Sequence, residues 1–293
     1  MKILLLGKNG QVGWELQRAL APLGEVIALG RENGGDLADS DSLKANVRSI
    51  APQVIVNAAA YTAVDKAENE AELAMQINCH APAMLAREAQ ALGAMLLHYS
   101  TDYVFDGSGD QSRAEGAATA PLSVYGKTKL AGEDAIHSSG CLHLILRTSW
   151  VYAARGGNFA KTMLRLATER DQLKVIADQI EAPTGAELLA YLSAHILRAT
   201  LGDPALGGIY HATATGETSW YDYAAFVIDY ARRQGRPIRV EADQLLPIPT
   251  SEYPAAAQRP LNSRLSSAKL QQNFDLCLPP WQQGVERMLC EIL

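Results

Sequence analysis

The chain is poor in cysteine, has no long apolar run and carries no excess of positive charge. Only four cysteines occur in 293 residues, at Cys79, Cys141, Cys277 and Cys290. None is spaced as C-x-x-C or paired with histidines in a zinc pattern, which sets aside a disulfide framework and a structural zinc module. Free thiols in a reducing cytosol, hence a cytoplasmic protein, are the expectation. No apolar stretch reaches the roughly 20 residues of a membrane span. The opening MKILLLGKNG is too short in its apolar part for a signal segment and runs into glycines, so it reads as a buried strand. A net charge of -6 argues against a nucleic-acid or anionic-membrane partner. Hydrophobic residues at 48% and charged residues at 20% are ordinary for a globular protein with one large core or two modest ones.

Short apolar runs alternate with longer helical patterns. The runs are 2–7, 25–30, 54–59, 94–101 and 143–149. Continuous apolar strands of this kind are buried on both faces, as in a parallel sheet. Helical patterns cover 13–24, 41–50, 71–93 and 124–140. The alternation predicts βαβ units with right-handed crossovers in a doubly wound α/β fold of the Rossmann type, over residues 1–149. After residue 150 loops rich in Gly, Pro and Thr appear, with helical patterns at 185–200 and 219–235. Residues 150–293 are expected to form mainly a smaller substrate-binding lobe, with some helices returning to the sheet.

The first strand ends in GKNGQVG, with Gly7, Gly10 and Gly13, and a helix follows at once. Glycines let a backbone approach a pyrophosphate, and a helix N-terminus offers free N–H groups and a positive dipole end. Nucleotide binding is the expectation, although the spacing is G-x-x-G-x-x-G. The second strand ends ALGRE, with Gly30 and Arg31 where an NAD site usually has an acid for the ribose 2′-hydroxyl. A guanidinium suits a 2′-phosphate, which predicts NADPH in preference to NADH. Asp36 and Leu37 are expected beside the adenine, and Ala60, Tyr61 and Thr62 along the cofactor. Gln11 and Val12 in the turn and Tyr99 on the fourth strand complete the cofactor set.

HYSTDYVF (98–105) closes the fourth strand, at the edge that faces the ligand crevice in a doubly wound sheet. Ser100, Thr101 and Asp102 would project into it. Eleven tyrosines occur, and only Tyr125 has a lysine, Lys129, four places on. Residues four apart share a helix face, so both can point into the crevice. A nearby ammonium stabilises phenolate, which would lower the Tyr125 pKa and make it a better proton donor. Lys127 lies on another face and is expected to be dispensable. His98, in an apolar strand, reads as a satisfied core histidine that is not needed as a base.

A glycine turn, a strand-end Ser/Thr and Tyr-x-x-x-Lys resemble the extended short-chain dehydrogenase/reductase superfamily. STDYVFDG, PLSVYGKTKLAGE, RTSWVYAARGGNFAKTMLRLA and RPLNSRL are similar to the dTDP-4-dehydrorhamnose reductases, over the whole chain. The resemblance implies transfer of hydride from NADPH, or NADH, to the 4-keto carbon of dTDP-4-dehydro-L-rhamnose. It implies Tyr125 as proton donor, Lys129 as its tuner and ribose contact, and Thr101 polarising the carbonyl. Substrate contacts are implied at Asp102, Trp150, Arg259 and Asn262. It also implies a homodimer whose interface holds magnesium through Glu15, Glu187 and Glu291. Where this family reads Asp-Gln-x-Gly-x-Pro-Thr, this chain has Glu181 in place of the glycine. If that position needs positive φ, glutamate there is strained. A reductase of another keto-sugar nucleotide and a non-catalytic NADP(H)-binding partner subunit are the alternative readings. The destination of the product, lipopolysaccharide, another glycan or a small glycoside, is left open.

Overall fold

The computed structural model describes residues 1–293. Six parallel strands form the central sheet: β1 (Lys2–Leu6), β2 (Glu25–Leu29), β3 (Val54–Asn57), β4 (Met95–Thr101), β5 (His143–Thr148) and β6 (Gly208–His211). Their order is β6-β5-β4-β3-β1-β2, so the connection reverses between β1 and β3. A crevice opens at such a reversal, outside the carboxyl ends of the strands.

The strands are apolar on both faces because both are covered. Ile3, Leu5, Val54, Val56, Leu97 and Leu144 pack on one side against α1 (Gln11–Leu20) and the helix Ala186–Gly202. Leu4, Leu6, Ile55, Leu96 and Ile145 pack on the other against α2 (Ser40–Ile50), α3 (Ala81–Leu92) and α4 (Val124–Ser138). Each fully buried Leu or Ile contributes about 1.5–3 kcal/mol, so the alternate residues of each strand stabilise two separate cores.

The first five strands and the six helical patterns fall where the periodicity placed them, within a few residues. The long pattern over 71–93 is one helical run with a π-helical segment, Gln76–His80, at its centre. The sixth strand, GIYH, is too short and too mixed to stand out in the sequence. It crosses back from the second half of the chain to pair with β5, Gly208 opposite Leu144 and His211 opposite Arg147. Beside a small cluster of Val104, Phe105 and Leu265, the second half of the chain builds two smaller cores. One gathers Tyr152, Tyr223, Trp281 and Val285, and the other Met163, Val175, Ile228 and Leu245. Short strand pairs tie this part together, Leu173–Ile176 with Leu245–Ile248 and Ile180–Glu181 with Thr218–Ser219.

α4 is clamped to the sheet by a buried ion pair. Arg147 on β5 donates to Glu133 on α4, Nη2 to Oε2 at 2.6 Å and Nε to Oε1 at 3.0 Å, while its Nη1 donates to the Glu115 carbonyl. Both residues are nearly inaccessible. Removing one partner leaves the other charge buried alone, so Arg147→Met is expected to lower the unfolding free energy by about 3–5 kcal/mol in urea denaturation. The double change Arg147→Met with Glu133→Leu recovers most of that loss.

Candidate active site

The crevice at the carboxyl edge of the sheet is a cavity of about 810 Å³. At one end lies the first βα turn. Gly7 has φ +84, and a Cβ there would stand 2.8 Å from the Ala58–Ala59 backbone. A Cβ on Gly13 would stand 2.0 Å from the Gly7 carbonyl oxygen, so α1 packs against the turn only with glycine there. Gly10 differs: its φ is -72 and a Cβ would meet nothing closer than 3.4 Å. Its missing side chain therefore opens space above the N-terminus of α1, where no side chain caps the helix. Uncapped N–H groups and an open cradle fit the diphosphate of a dinucleotide. At the rim, Lys8 pairs with Glu32 at 3.0 Å. That leaves the adjacent Arg31 guanidinium exposed and without an ion pair.

At the other end the ends of β4 and β5 meet α4. Lys129 is 2% exposed and donates from Nζ to the Tyr99 carbonyl at 2.6 Å, with His98 Nε2 at 3.2 Å. Burial pulls the Lys129 pKa down to about 8, against the attraction of Glu133 one turn along. Burial pushes Tyr125 up to about 12, the Thr101 hydroxyl pulling the other way and Asp102 adding to the rise. The expectation that Lys129 lowers the Tyr125 pKa is thus corrected: the half-buried phenol lies beside the Asp102 carboxyl, and burial dominates. Thr101 donates from Oγ1 to Asp102 Oδ1 at 2.9 Å and caps the following turn by accepting from the Tyr103 N–H. Ser100 Oγ, Thr148 Oγ1 and Asp102 Oδ2 are buried without partners around the same cavity. Such orphaned groups are costly unless a ligand satisfies them.

Trp150 follows β5 in a left-handed conformation, φ +42, and lies face to face with Trp220 at 3.5 Å. The stack presents one face of the Trp150 side chain to the cavity wall.

The family model described as "RmlD substrate binding domain" matches residues 1–293. The chain is 56% identical over 295 residues to the dTDP-4-dehydrorhamnose reductase of Escherichia coli K12, covering 100% of this chain and 98% of that one. The Salmonella typhimurium protein of the same name is also 56% identical, with the same coverage. A crystal structure of the Bacillus anthracis dTDP-4-dehydrorhamnose reductase in complex with NADP superposes with a TM-score of 0.89 at 35% identity, covering 99% of both chains.

This chain belongs to the family of the dTDP-4-dehydrorhamnose reductases.

The structure brings together at this cavity Gly7, Gly10, Gln11, Val12, Arg31, Asp36, Leu37, Ala60, Thr62, Tyr99, Thr101, Asp102, Tyr125, Lys129 and Trp150. Three expected residues stand elsewhere. The Tyr61 hydroxyl donates to Glu70 at 2.6 Å, and its backbone is tied to Asn78. Arg259 is paired with Asp65 at 2.6 Å. Asn262 donates to the Ser108 and Gln111 carbonyls, holding a loop instead of facing the cavity. Lys127 is exposed, away from Lys129.

The expected magnesium site is not assembled by one chain. Glu15 and Glu187 share Arg18, at 2.8 and 3.4 Å, and Glu187 and Glu291 share Arg287, at 2.9 and 3.7 Å. Two guanidiniums offset three carboxylates, and no group of acidic, histidine or cysteine side chains in the chain is arranged to hold a cation.

Glu181 is not strained. It lies in the short strand opposite Thr218 and outside the positive-φ region. Its side chain is buried, accepts only from the adjacent Ala182 N–H through Oε1, and leaves Oε2 without a partner. Burial, reinforced by Asp102, holds this carboxyl well above its ordinary range. Asp102 itself rises to about 6, by burial against the Ser263 and Thr101 hydroxyls. The nearness of the Glu181 and Asp102 carboxyls was not legible from spacing. Thr148 and Ser149 could have been found, since they end β5 as Thr101 ends β4.

The folded chain therefore binds more protons than the unfolded chain as Asp102 titrates between its ordinary 3.8 and about 6. The stability from the protonated form is complete below that window and lost as pH rises through it. Asp102→Asn is expected to stabilise the protein by about 2–3 kcal/mol at pH 8 and much less at pH 4, read by urea denaturation. Glu181→Gln should act in the same direction.

Proposed function

We propose that this chain reduces the 4-keto group of dTDP-4-dehydro-L-rhamnose to give dTDP-L-rhamnose, with Tyr125 as proton donor. One observation carries the reading. In a chain that the family model matches over residues 1–293, the glycine cradle, the strand-end Thr101 and the pair Tyr125–Lys129 line one cavity. That placement favours an enzyme over a non-catalytic partner subunit, which has no need of an acid beside the cradle.

The residues at the cradle end fit NADPH, which supplies the hydride when bound. Gly7, Gly10, Gln11 and Val12 would hold its diphosphate, Arg31 its 2′-phosphate and Asp36 with Leu37 its adenine. Lys129 would donate to the nicotinamide ribose. At the chemical end, the Thr101 hydroxyl polarises the substrate carbonyl as charge develops on oxygen. Tyr125 then gives its proton to the emerging alkoxide. With its pKa raised to about 12 the phenol is fully protonated at neutral pH, and it remains more acidic than the alcohol it forms. Asp102 and Trp150 bound the sugar, and the buried Asp102 carboxyl offers it a hydrogen-bonding oxygen. The same reading puts the reaction in the cytoplasm. Two copies would pair through the face that carries exposed Trp14 and Tyr191.

The test is NADPH oxidation with the keto-sugar nucleotide generated in situ. Tyr125→Phe is expected to lower kcat by about 10²–10⁴-fold while NADPH still binds, measured by fluorescence titration. Substantial turnover in that variant rejects Tyr125 as the acid. Arg31→Ala is expected to lower kcat/KM with NADPH by roughly 10–100-fold and leave the NADH value unchanged. A parent enzyme that strongly prefers NADH rejects the role of Arg31.

A further inference from the structure

We propose that His98 is a positioning residue for Lys129, and that the tautomer of His98, chosen by Asn57, turns an N–H toward the lysine and so favours its amine over its ammonium form. This rests on the role given to Lys129 above. The observation is a directed chain of hydrogen bonds in the interior of the sheet. The Ala59 N–H meets Asn57 Oδ1 at 3.2 Å, Asn57 Nδ2 meets His98 Nδ1 at 3.1 Å, and His98 Nε2 meets Lys129 Nζ at 3.2 Å. Lys129 Nζ in turn meets the Tyr99 carbonyl at 2.6 Å. Asn57, His98 and Lys129 are each at most 2% exposed, so no water relaxes the requirement that donors face acceptors.

The direction follows from one end. A backbone N–H can only donate, so Ala59 fixes the oxygen of the Asn57 amide toward itself and turns the NH₂ toward His98. Nδ1 must then accept, which leaves the proton of the neutral imidazole on Nε2. That N–H points at Lys129. An ammonium would oppose donor to donor, whereas an amine accepts from Nε2–H and still donates to the Tyr99 carbonyl. The environment acts in the same sense. Burial holds His98 well below its ordinary value and Lys129 down at about 8. Glu133 on α4 favours the ammonium, but Arg147 on β5 already engages its carboxylate. Of the other titratable groups on the packed elements, the Tyr99 hydroxyl is turned away to Ser193 Oγ, and Tyr125 and Asp102 lie on the cavity side. β3 contributes only Asn57.

On this account the lysine ammonium that steadies a Tyr125 phenolate after proton transfer is lost as pH rises through the Lys129 pKa. The His98 donor brings that alkaline limb of kcat to lower pH. The first test is the ¹⁵N-histidine spectrum of the 293-residue chain without ligands, with the His98 resonances assigned by their loss in His98→Phe. Expected is a protonated Nε2 and a bare Nδ1, unchanged across pH 6 to 9; a proton on Nδ1 overturns the proposal. The second is the pH profile of kcat. His98→Phe removes the donor and should move the alkaline limb up by about half a unit to one unit. Asn57→Asp, which can only accept and so forces the other tautomer, should move it in the same direction. His98→Gln, whose amide can accept from Asn57 and donate to Lys129, should keep the limb in place. If kcat falls in His98→Phe with the limb unmoved, His98 is only a packing residue and the proposal fails. Should His98→Phe not fold, Asn57→Asp and the spectrum decide. Lys129→Met separates the two readings: full turnover in that variant removes the role of Lys129, while the spectrum reports the tautomer independently.

Discussion

The site depends on burying a lysine nitrogen at the carboxyl edge of a parallel sheet. A long cationic side chain almost never sits in a dry interior without partners. Here the helix must come close enough to β4 for Lys129 Nζ to reach the Tyr99 carbonyl, and glycines on either side of the lysine allow it. A Cβ on Gly126 would lie 2.3 Å from the Tyr103 carbonyl oxygen. A Cβ on Gly132 would lie 2.2 Å from that of Asn78. The second contact falls on the π-helical segment, whose Asn78 side chain also reaches Thr128 and the Tyr61 backbone. A π segment widens a helix locally and often marks a functional position. In this chain it makes the wall into which the helix of Tyr125 and Lys129 is seated.

Much of this was legible because the signals were local. The glycine turn, the strand-end threonine and the tyrosine–lysine spacing each occupy one element, and the sheet edge brings them together by topology alone. Less legible were contacts between residues far apart in the chain. Asn57 is a single polar residue ending an apolar strand, and His98 alternates with core residues, so nothing in their spacing joins them to Lys129. Arg259 and Asn262 are engaged by partners that their spacing did not show. Arginine and asparagine have the chemistry for a diphosphate, but Asp65 and the loop at 108–111 already satisfy them. The β6 strand was missed because its register comes from β5 and not from its own four residues.

The second half of the chain completes the cavity through strain as well as packing. A tryptophan with positive φ costs on the order of 1–3 kcal/mol and persists only where its surroundings hold it. Trp220 does so by stacking, and its own Nε1 donates to Gln179 at 3.1 Å, close to the strand that carries Glu181. The same short segment thus aims the aromatic wall and delivers a buried carboxyl toward Asp102. A glycine at 181 would leave that space apolar or wet. A glutamate fills it with a carboxyl that burial drives toward its protonated form.

Charge is consequently sorted along the cavity. The exposed rim carries the permanent cation, Arg31, and the open end of α1, both suited to phosphates that arrive as anions. Toward the chemical end the groups are buried, and burial drives each toward its neutral form: Lys129 toward amine, Tyr125 toward phenol, Asp102 and Glu181 toward carboxylic acid. A wall of buried donors and acceptors suits a sugar, which offers hydroxyls and a carbonyl but no charge. On the proposed reaction, an oxyanion formed against this buried wall would interact with Thr101 and Tyr125 more strongly than in solution.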